Sequence, residues 1–207
     1  MSRKLIFVIA LLLLPLSGCG IVSVGYNYAD AYLRYSINSY ASFNSGQKKL
    51  IHDEVDIYMR WHRKEMLPDY VSFLHGLRNS AQIGTALKQQ DVARFRRELH
   101  TLYVGTLQPA IKPAAHLLSG MTPGQIEELA KSLQYENRQR RAKELSGSQD
   151  TQLRKRAEKT VDFIESLVGG LSDRQLDVIR EMNHKSPFAT ALYFQMREDN
   201  QARLIEL

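Results

Sequence analysis

Apolar residues recur every three or four positions from Tyr26 to the end of this chain, and strictly alternating β-branched runs are missing. A step near 3.6 residues gathers side chains on one face of an α-helix, whereas a half-buried strand needs a step of two. Tyr28, Tyr32 and Tyr35 share one face, and Leu33, Ile37 and Tyr40 another. Ile51, Val55, Tyr58 and His62 resume the pattern after Asn44-Ser45-Gly46. Later stripes run through Val92, Phe95 and Leu99, through Ile126, Leu129 and Leu133, through Leu153, Ala157, Val161 and Ile164, and through Leu176, Ile179 and Met182. The expectation is an all-α fold of about seven or eight helices in antiparallel hairpins, monomeric or paired through an apolar helix face.

Proline and glycine mark the breaks. Pro68 is expected to end or kink the helix that carries Ile51 and Val55, because it lacks an N–H and its ring meets the carbonyl four residues back. Pro109 and Pro113 are expected to bend or split the helix that Asp91 opens. Gly120 and Gly169-Gly170 suit helix ends, and Ser146-Gly147-Ser148 suits a short turn. Ser186-Pro187 reads as a cap and first-turn proline for a last helix through Phe188, Leu192 and Met196. No stretch is long enough for an interdomain linker, so residues 26–207 are expected to form a single helical domain.

The first residues follow different rules. Arg3 and Lys4 precede an apolar run from Leu5 to Leu14, then Pro15 and Leu16-Ser17-Gly18-Cys19. A positive start, an apolar core of about 7–15 residues and a small-residue site make an export signal. The run is shorter than the about 20 residues of a spanning helix. Leu16-Ser17-Gly18-Cys19 resembles the lipobox of bacterial lipoproteins. The resemblance implies cleavage of residues 1–18, diacylglycerol on the Cys19 thiol, an acyl chain such as palmitate on the new amine, and a short tether over 19–25. Gly20 stands where lipoproteins retained in the inner membrane commonly carry Asp. The resemblance therefore implies the periplasmic face of the outer membrane.

Loss of Arg3 and Lys4 from the 28 basic residues would leave 26 against 22 acidic ones, a net charge of +4. Cys19 is the only cysteine, so stability must come from packing even in a compartment that permits disulfides. Export takes a basic chain away from nucleic acid. Its expected partners are the membrane, through the lipid, and an envelope protein or an anionic envelope polymer or lipid.

A helix-start signature occurs three times. In Met121-Thr122-Pro123-Gly124-Gln125-Ile126, Thr122 can cap, Pro123 fills the first helical position, Gln125 can reach back to the cap, and Met121 and Ile126 can form an apolar staple. Leu171-Ser172-Asp173-Arg174-Gln175-Leu176 repeats it, with Ser172 and Gln175 in the same roles. Phe43-Asn44-Ser45-Gly46-Gln47 is the weaker copy, since Lys48 replaces the staple residue. These are helix N-termini first. The pattern also resembles the LTxxQ motif of small periplasmic stress chaperones, which are all-helical cradles.

A wider resemblance covers most of the chain. Tyr26-Asn27, the tyrosine-rich first helix, Gln47, Trp61-His62-Arg63 leading to Leu67-Pro68 and Tyr70, the Met121–Gln125 start, Glu136-Asn137-Arg138 and Leu171–Gln175 fall in the order of the domain-of-unknown-function 6279 family of proteobacterial lipoproteins. The resemblance implies a helical lipoprotein and carries no activity with it. The first helix of that family usually has a paired acidic group before its last tyrosine. Here Asn38-Ser39 precede Tyr40, so no cation or basic-partner role passes to this chain at that point.

Two constellations stand out as candidate sites. Between Glu136 and Lys159 lie eight basic residues, among them Arg138, Arg140, Arg141, Arg154, Lys155 and Arg156, against four acidic ones. A helical hairpin turning at Ser146–Ser148 would gather them at one tip, able to dock on anionic headgroups or simply to be solvated and salt-bridged. Trp61, His62, Arg63 and Tyr70 stand at the Pro68 bend, where Trp and Arg can anchor recognition or pack the bend. Glu181 and His184 have the Glu-x-x-His spacing of di-metal bundles, which need it twice with two further carboxylates. No phosphate-cradling glycine loop and no Gly-x-Ser-x-Gly are present. The expectation is a non-catalytic binding lipoprotein without cofactor or metal. The alternatives are a chaperone-like holdase and, third, a hydrolase or metal enzyme.

Overall fold

The computed structural model describes residues 25–82, 89–185 and 190–206. Cys19 and Ser186 to Phe188 lie outside the described residues. Among those described, eight α-helices and one π-helical turn occur and no strand does. The all-α expectation holds. Gly25, expected in the tether, already belongs to a helical turn, with the Tyr28 N–H donating to the Gly25 carbonyl at 3.3 Å.

The helices gather into two compact units that divide between Thr122 and Pro123. The first holds α1 (Ala29–Asn38), α2 (Ser45–Trp61), the π turn (His62–Met66), α3 (Leu67–Gln82) and α4 (Gln89–Ser119). Helix α2 packs against α1 and α4, and α3 packs against α4. Ile51, Val55 and Met59, at steps of four, form the buried stripe of α2 and close a core with Phe43. Leu33 and Ile37 of α1 and Leu117 of α4 pack on that core.

Asn44 starts α2 with a complete capping box. The Gln47 N–H donates to Asn44 Oδ1 at 2.9 Å, and the Asn44 N–H donates to Gln47 Oε1 at 3.0 Å. The weakest copy of the start signature in sequence is thus fully formed by the reciprocal Asn44 and Gln47 bonds, and Phe43 is buried although Lys48 offers it no staple partner. Pro68 does not end the helix, and Pro109 and Pro113 do not split α4, which is 31 residues long.

The second unit holds α5 (Pro123–Glu144), α6 (Gln149–Val168), α7 (Asp173–Lys185) and α8 (Thr190–Glu206). Helix α5 packs on α8, and α6 packs on α7. Phe194 of α8 and Leu129 of α5 are buried. Gly169 ends α6 at φ 84°, in the left-handed region where a Cβ is costly. Ser148 caps α6 through the Thr151 N–H at 3.3 Å.

Candidate functional site

The π turn is the local irregularity from which the first site is built. A proline two residues into α3 cannot donate to the Lys64 carbonyl, and its ring would press on it. Widening the helix over His62–Met66 relieves that contact while the backbone stays helical on both sides. The turn carries His62 into a ring of aromatic side chains. Tyr26, Tyr58, Tyr70 and Trp61 surround it at centroid distances of 5.8, 6.0, 5.9 and 6.2 Å.

The polar tips of this cluster are engaged. Tyr26 Oη and His62 Nδ1 share a hydrogen bond of 2.8 Å. Tyr58 Oη donates to the Thr106 carbonyl at 3.2 Å, and Tyr70 Oη bonds the Thr106 hydroxyl. That hydroxyl in turn donates to the Leu102 carbonyl at 2.8 Å. The Arg63 guanidinium stands 5.8 Å from the Tyr26 ring centre, a cation–π distance. Burial, with the Arg63 charge second, holds the His62 pKa below its ordinary value, so the imidazole is neutral at pH 7. Burial raises the pKa of Tyr26 and of Tyr58, which stay phenols. The Tyr26–His62 bond ties the segment before α1 to the π turn, and Tyr58 and Tyr70 tie α2 and α3 to Thr106 of α4.

Trp61, His62, Arg63 and Tyr70 therefore do come together, as their spacing suggested. Tyr26, Tyr58 and Thr106 complete the cluster. Tyr58 was legible four residues before His62. Tyr26 lies 36 residues from His62, and Thr106 lies 36 and 48 residues from Tyr70 and Tyr58, and no local signal marks them.

The first unit also has an apolar groove of about 340 Å³ between α1, α2 and α4. Leu33, Ile37, Leu50, Val55, Pro113 and Leu117 are among its walls, and Glu54 is the charged residue in its lining. Leu107 lines it too and is half exposed. Leu99, Tyr103, Leu107 and Ile111 repeat at steps of four along α4 and are all largely exposed. Four such residues span about three helical turns, or about 18 Å at 1.5 Å per residue.

Arg138, Arg140 and Arg154 of the 136–159 segment are exposed, and several of its basic residues have carboxylate partners. Because α5 packs on α8 and α6 on α7, the 136–159 segment is not a self-packed hairpin. Arg141 grips Glu198 with contacts of 3.0 and 3.1 Å and lies 5.6 Å from the Phe194 ring centre. Arg140 pairs with Glu136 at 3.9 Å, Arg154 with Glu158 at 3.9 Å, and Lys159 with Glu144. Lys155 donates to Ser146 Oγ, and Arg156 donates to the Asn183 carbonyl. Arg138 lines a mostly apolar groove of about 510 Å³ that Asn137, Gln201, Leu133 and Ile205 also line. Asn137, only 5% exposed, accepts from Arg197 Nε at 2.8 Å and donates to Gln201 Oε1.

The other start motifs also have definite places. Helix α5 begins at Pro123, directly after Thr122, and Gln125 is buried. Gln175 Oε1 accepts from both the Ser172 N–H and the Ser172 hydroxyl at 2.9 Å, so that hydroxyl donates rather than accepting from the helix. No group of three or more His, Cys, Asp or Glu side chains able to hold a metal occurs among the described residues, Glu181 and His184 included. No helix among them is long and apolar enough to cross a membrane.

No curated protein and no solved structure matches this chain. One family does match, over residues 39–207, which takes in α2, the π turn and every helix after it. The order of motifs from Gln47 to Gln175 is thus that of a recognised group, and the chain belongs to the family of unknown function DUF6279.

Proposed function

We propose that the chain is a non-catalytic lipoprotein, held at the periplasmic face of the outer membrane by acyl groups on Cys19, that binds an envelope protein through an apolar helical segment. The observation that carries the binding half is the groove between α1, α2 and α4. Its apolar lining continues onto the exposed Leu99–Ile111 stripe of α4. An amphipathic helix presents anchors at this spacing when it lies in such a groove. The anchoring half rests on Leu16-Ser17-Gly18-Cys19. A single acyl chain binds a membrane only reversibly, at about 0.8 kcal/mol per buried CH₂, and several chains on one residue make the attachment lasting.

A photo-crosslinking residue at position 107, in the full chain and in intact cells, tests the binding half. The expected result is one discrete adduct, lost when Ile111→Asp is added and absent when the crosslinker stands at exposed Lys49. Equal adducts from positions 107 and 49 would overturn the groove reading.

The groove supports a second reading. With so little polar lining it selects by shape and apolarity, as a holdase similar to the LTxxQ chaperones would. That reading expects suppression of aggregation of unrelated unfolded proteins, weakened by Leu107→Asp, and no discrete adduct. Docking of an anionic envelope component on the second unit has less support, because Arg140, Arg141 and Arg154 already have carboxylate partners.

A further inference from the structure

The exposed face of α1 differs from an ordinary protein surface. Tyr28, Tyr32 and Tyr35 stand out from it at 67, 68 and 74% exposure. The other exposed residues from Asn27 to Ser39 are Asn27, Ala31 and Ser39, so this face carries no charge. The charged residues of the helix turn elsewhere. Arg34 pairs with Asp30 at 3.4 Å and with Asp56 of α2, on the flank that meets α2. A solvated surface normally has a quarter to a third of its residues charged. Three exposed phenols with none is the composition of a membrane interface, where the ring sits among acyl carbons and the hydroxyl among headgroups.

Chain length gives this face its partner. Tyr28 lies nine positions after Cys19. At no more than about 3.5 Å per residue, the chain cannot carry Tyr28 further than about 30 Å from that cysteine. With the acyl groups of Cys19 in a leaflet, α1 is the described helix with the shortest stretch of chain between it and the anchor. We infer that the Tyr28–Tyr32–Tyr35 face of α1 rests on the phospholipid surface of the leaflet that holds the acyl groups, and so fixes the orientation of the first unit on the membrane. The inference rests on the anchored reading above. It adds a second, non-covalent contact to the covalent one, and it turns a loose tether into a fixed mount.

The test uses the full acylated chain in phosphatidylethanolamine–phosphatidylglycerol vesicles. Once Cys19 is acylated the wild-type chain offers no free thiol, so Tyr28→Cys, Tyr32→Cys, Tyr35→Cys and Lys49→Cys can each be labelled at one place with a fluorophore. The expected result is loss of iodide quenching at positions 28, 32 and 35, gain of quenching by brominated acyl chains there, and the reverse at position 49. Iodide quenching at position 32 equal to that at 49, in chains that float with the vesicles, would overturn the inference and leave the anchor standing. Shielding from iodide without quenching by brominated lipid would also overturn it, because a second protein copy would then cover the face. Wild-type chain that takes up label at Cys19 and fails to float would refute the anchored reading itself, and the inference with it.

Discussion

Gln47→Ala is the substitution whose cost the structure fixes most closely. The side chain is 9% exposed and does two visible jobs. Its Oε1 accepts from the Asn44 N–H at 3.0 Å, and its Nε2 donates to the Gly120 carbonyl, just past the end of α4, at 2.9 Å. Truncation leaves the Asn44 N–H and the Gly120 carbonyl, both on exposed residues, to water in place of those partners. Each lost hydrogen bond costs about 0.5–1.5 kcal/mol. The expected loss for the two is about 1–3 kcal/mol. Gln47→Glu keeps the acceptor and replaces the donor by a carboxylate oxygen facing a carbonyl. It should be as damaging at neutral pH and partly rescued when acid protonates it. Trp61 is the sole tryptophan and lies in the first unit, so urea unfolding followed by its fluorescence reads the right half of the protein. Ser172→Ala is the contrast, because its exposed hydroxyl only donates to the Gln175 side chain. It should cost less than about 0.5 kcal/mol, below the range of an accepting cap, and leave the Trp61 transition unmoved. A Gln47→Ala midpoint within error of wild type would refute the claim that this side chain joins α2 to the end of α4.

Three further outcomes are expected. The folded-state pKa of His62 is lowered by burial, so the unfolded chain takes up that proton first. First-unit stability should be full above the ordinary histidine value of about 6.5 and decline as pH falls below it toward the folded-state value. His62→Phe should flatten that slope in urea midpoints measured between about pH 7.5 and 5.5; an unchanged slope would mean His62 does not carry it. Pro68→Ala removes the ring that would press on the Lys64 carbonyl in an α-helix, so the π turn should relax to α-helical hydrogen bonding in amide-exchange and chemical-shift data; persistence of the wide turn would assign it to the packing of His62 instead. Arg141→Ala loses a half-exposed carboxylate pair and a contact with the buried Phe194 ring, and circular dichroism should report a loss of about 0.5–1 kcal/mol from the pair that shrinks with salt.

Helix type and most helix starts were legible because they depend on neighbours within four residues. Ile51 and Val55 share a face by spacing alone, though the buried stripe goes on to Met59 rather than Tyr58, and Asn44 and Gly169 act through bonds that span a single turn; Ser148 suited only a turn in sequence and proves to cap α6. Prolines were harder to read. Pro68 suggests an end or a kink; tertiary contacts through Tyr58, Tyr70 and Thr106 hold the helix on both sides of it, and the backbone absorbs the ring as a π turn. Pro109 and Pro113 likewise sit inside an unbroken α4. Packing partners were not legible. A hairpin through Ser146–Ser148 is the local expectation, whereas α5 takes α8 and α6 takes α7, which depends on pairing across tens of residues. Trp61, His62, Arg63 and Tyr70 could be named from their composition at a bend. That Tyr26 closes the cluster could not, since only the fold brings it to His62. The exposed faces of α1 and α4 look like core stripes in sequence, and only burial tells them apart.

The proposed lipid anchor is read from the mass of the N-terminal peptide of the mature protein taken from membranes. The expected peptide begins at Cys19, retains none of residues 1–18, and carries a diacylglyceryl thioether and an amide-linked acyl chain. A peptide that begins at or before Leu16, or an unmodified Cys19 in protein recovered from the soluble fraction, would contradict it.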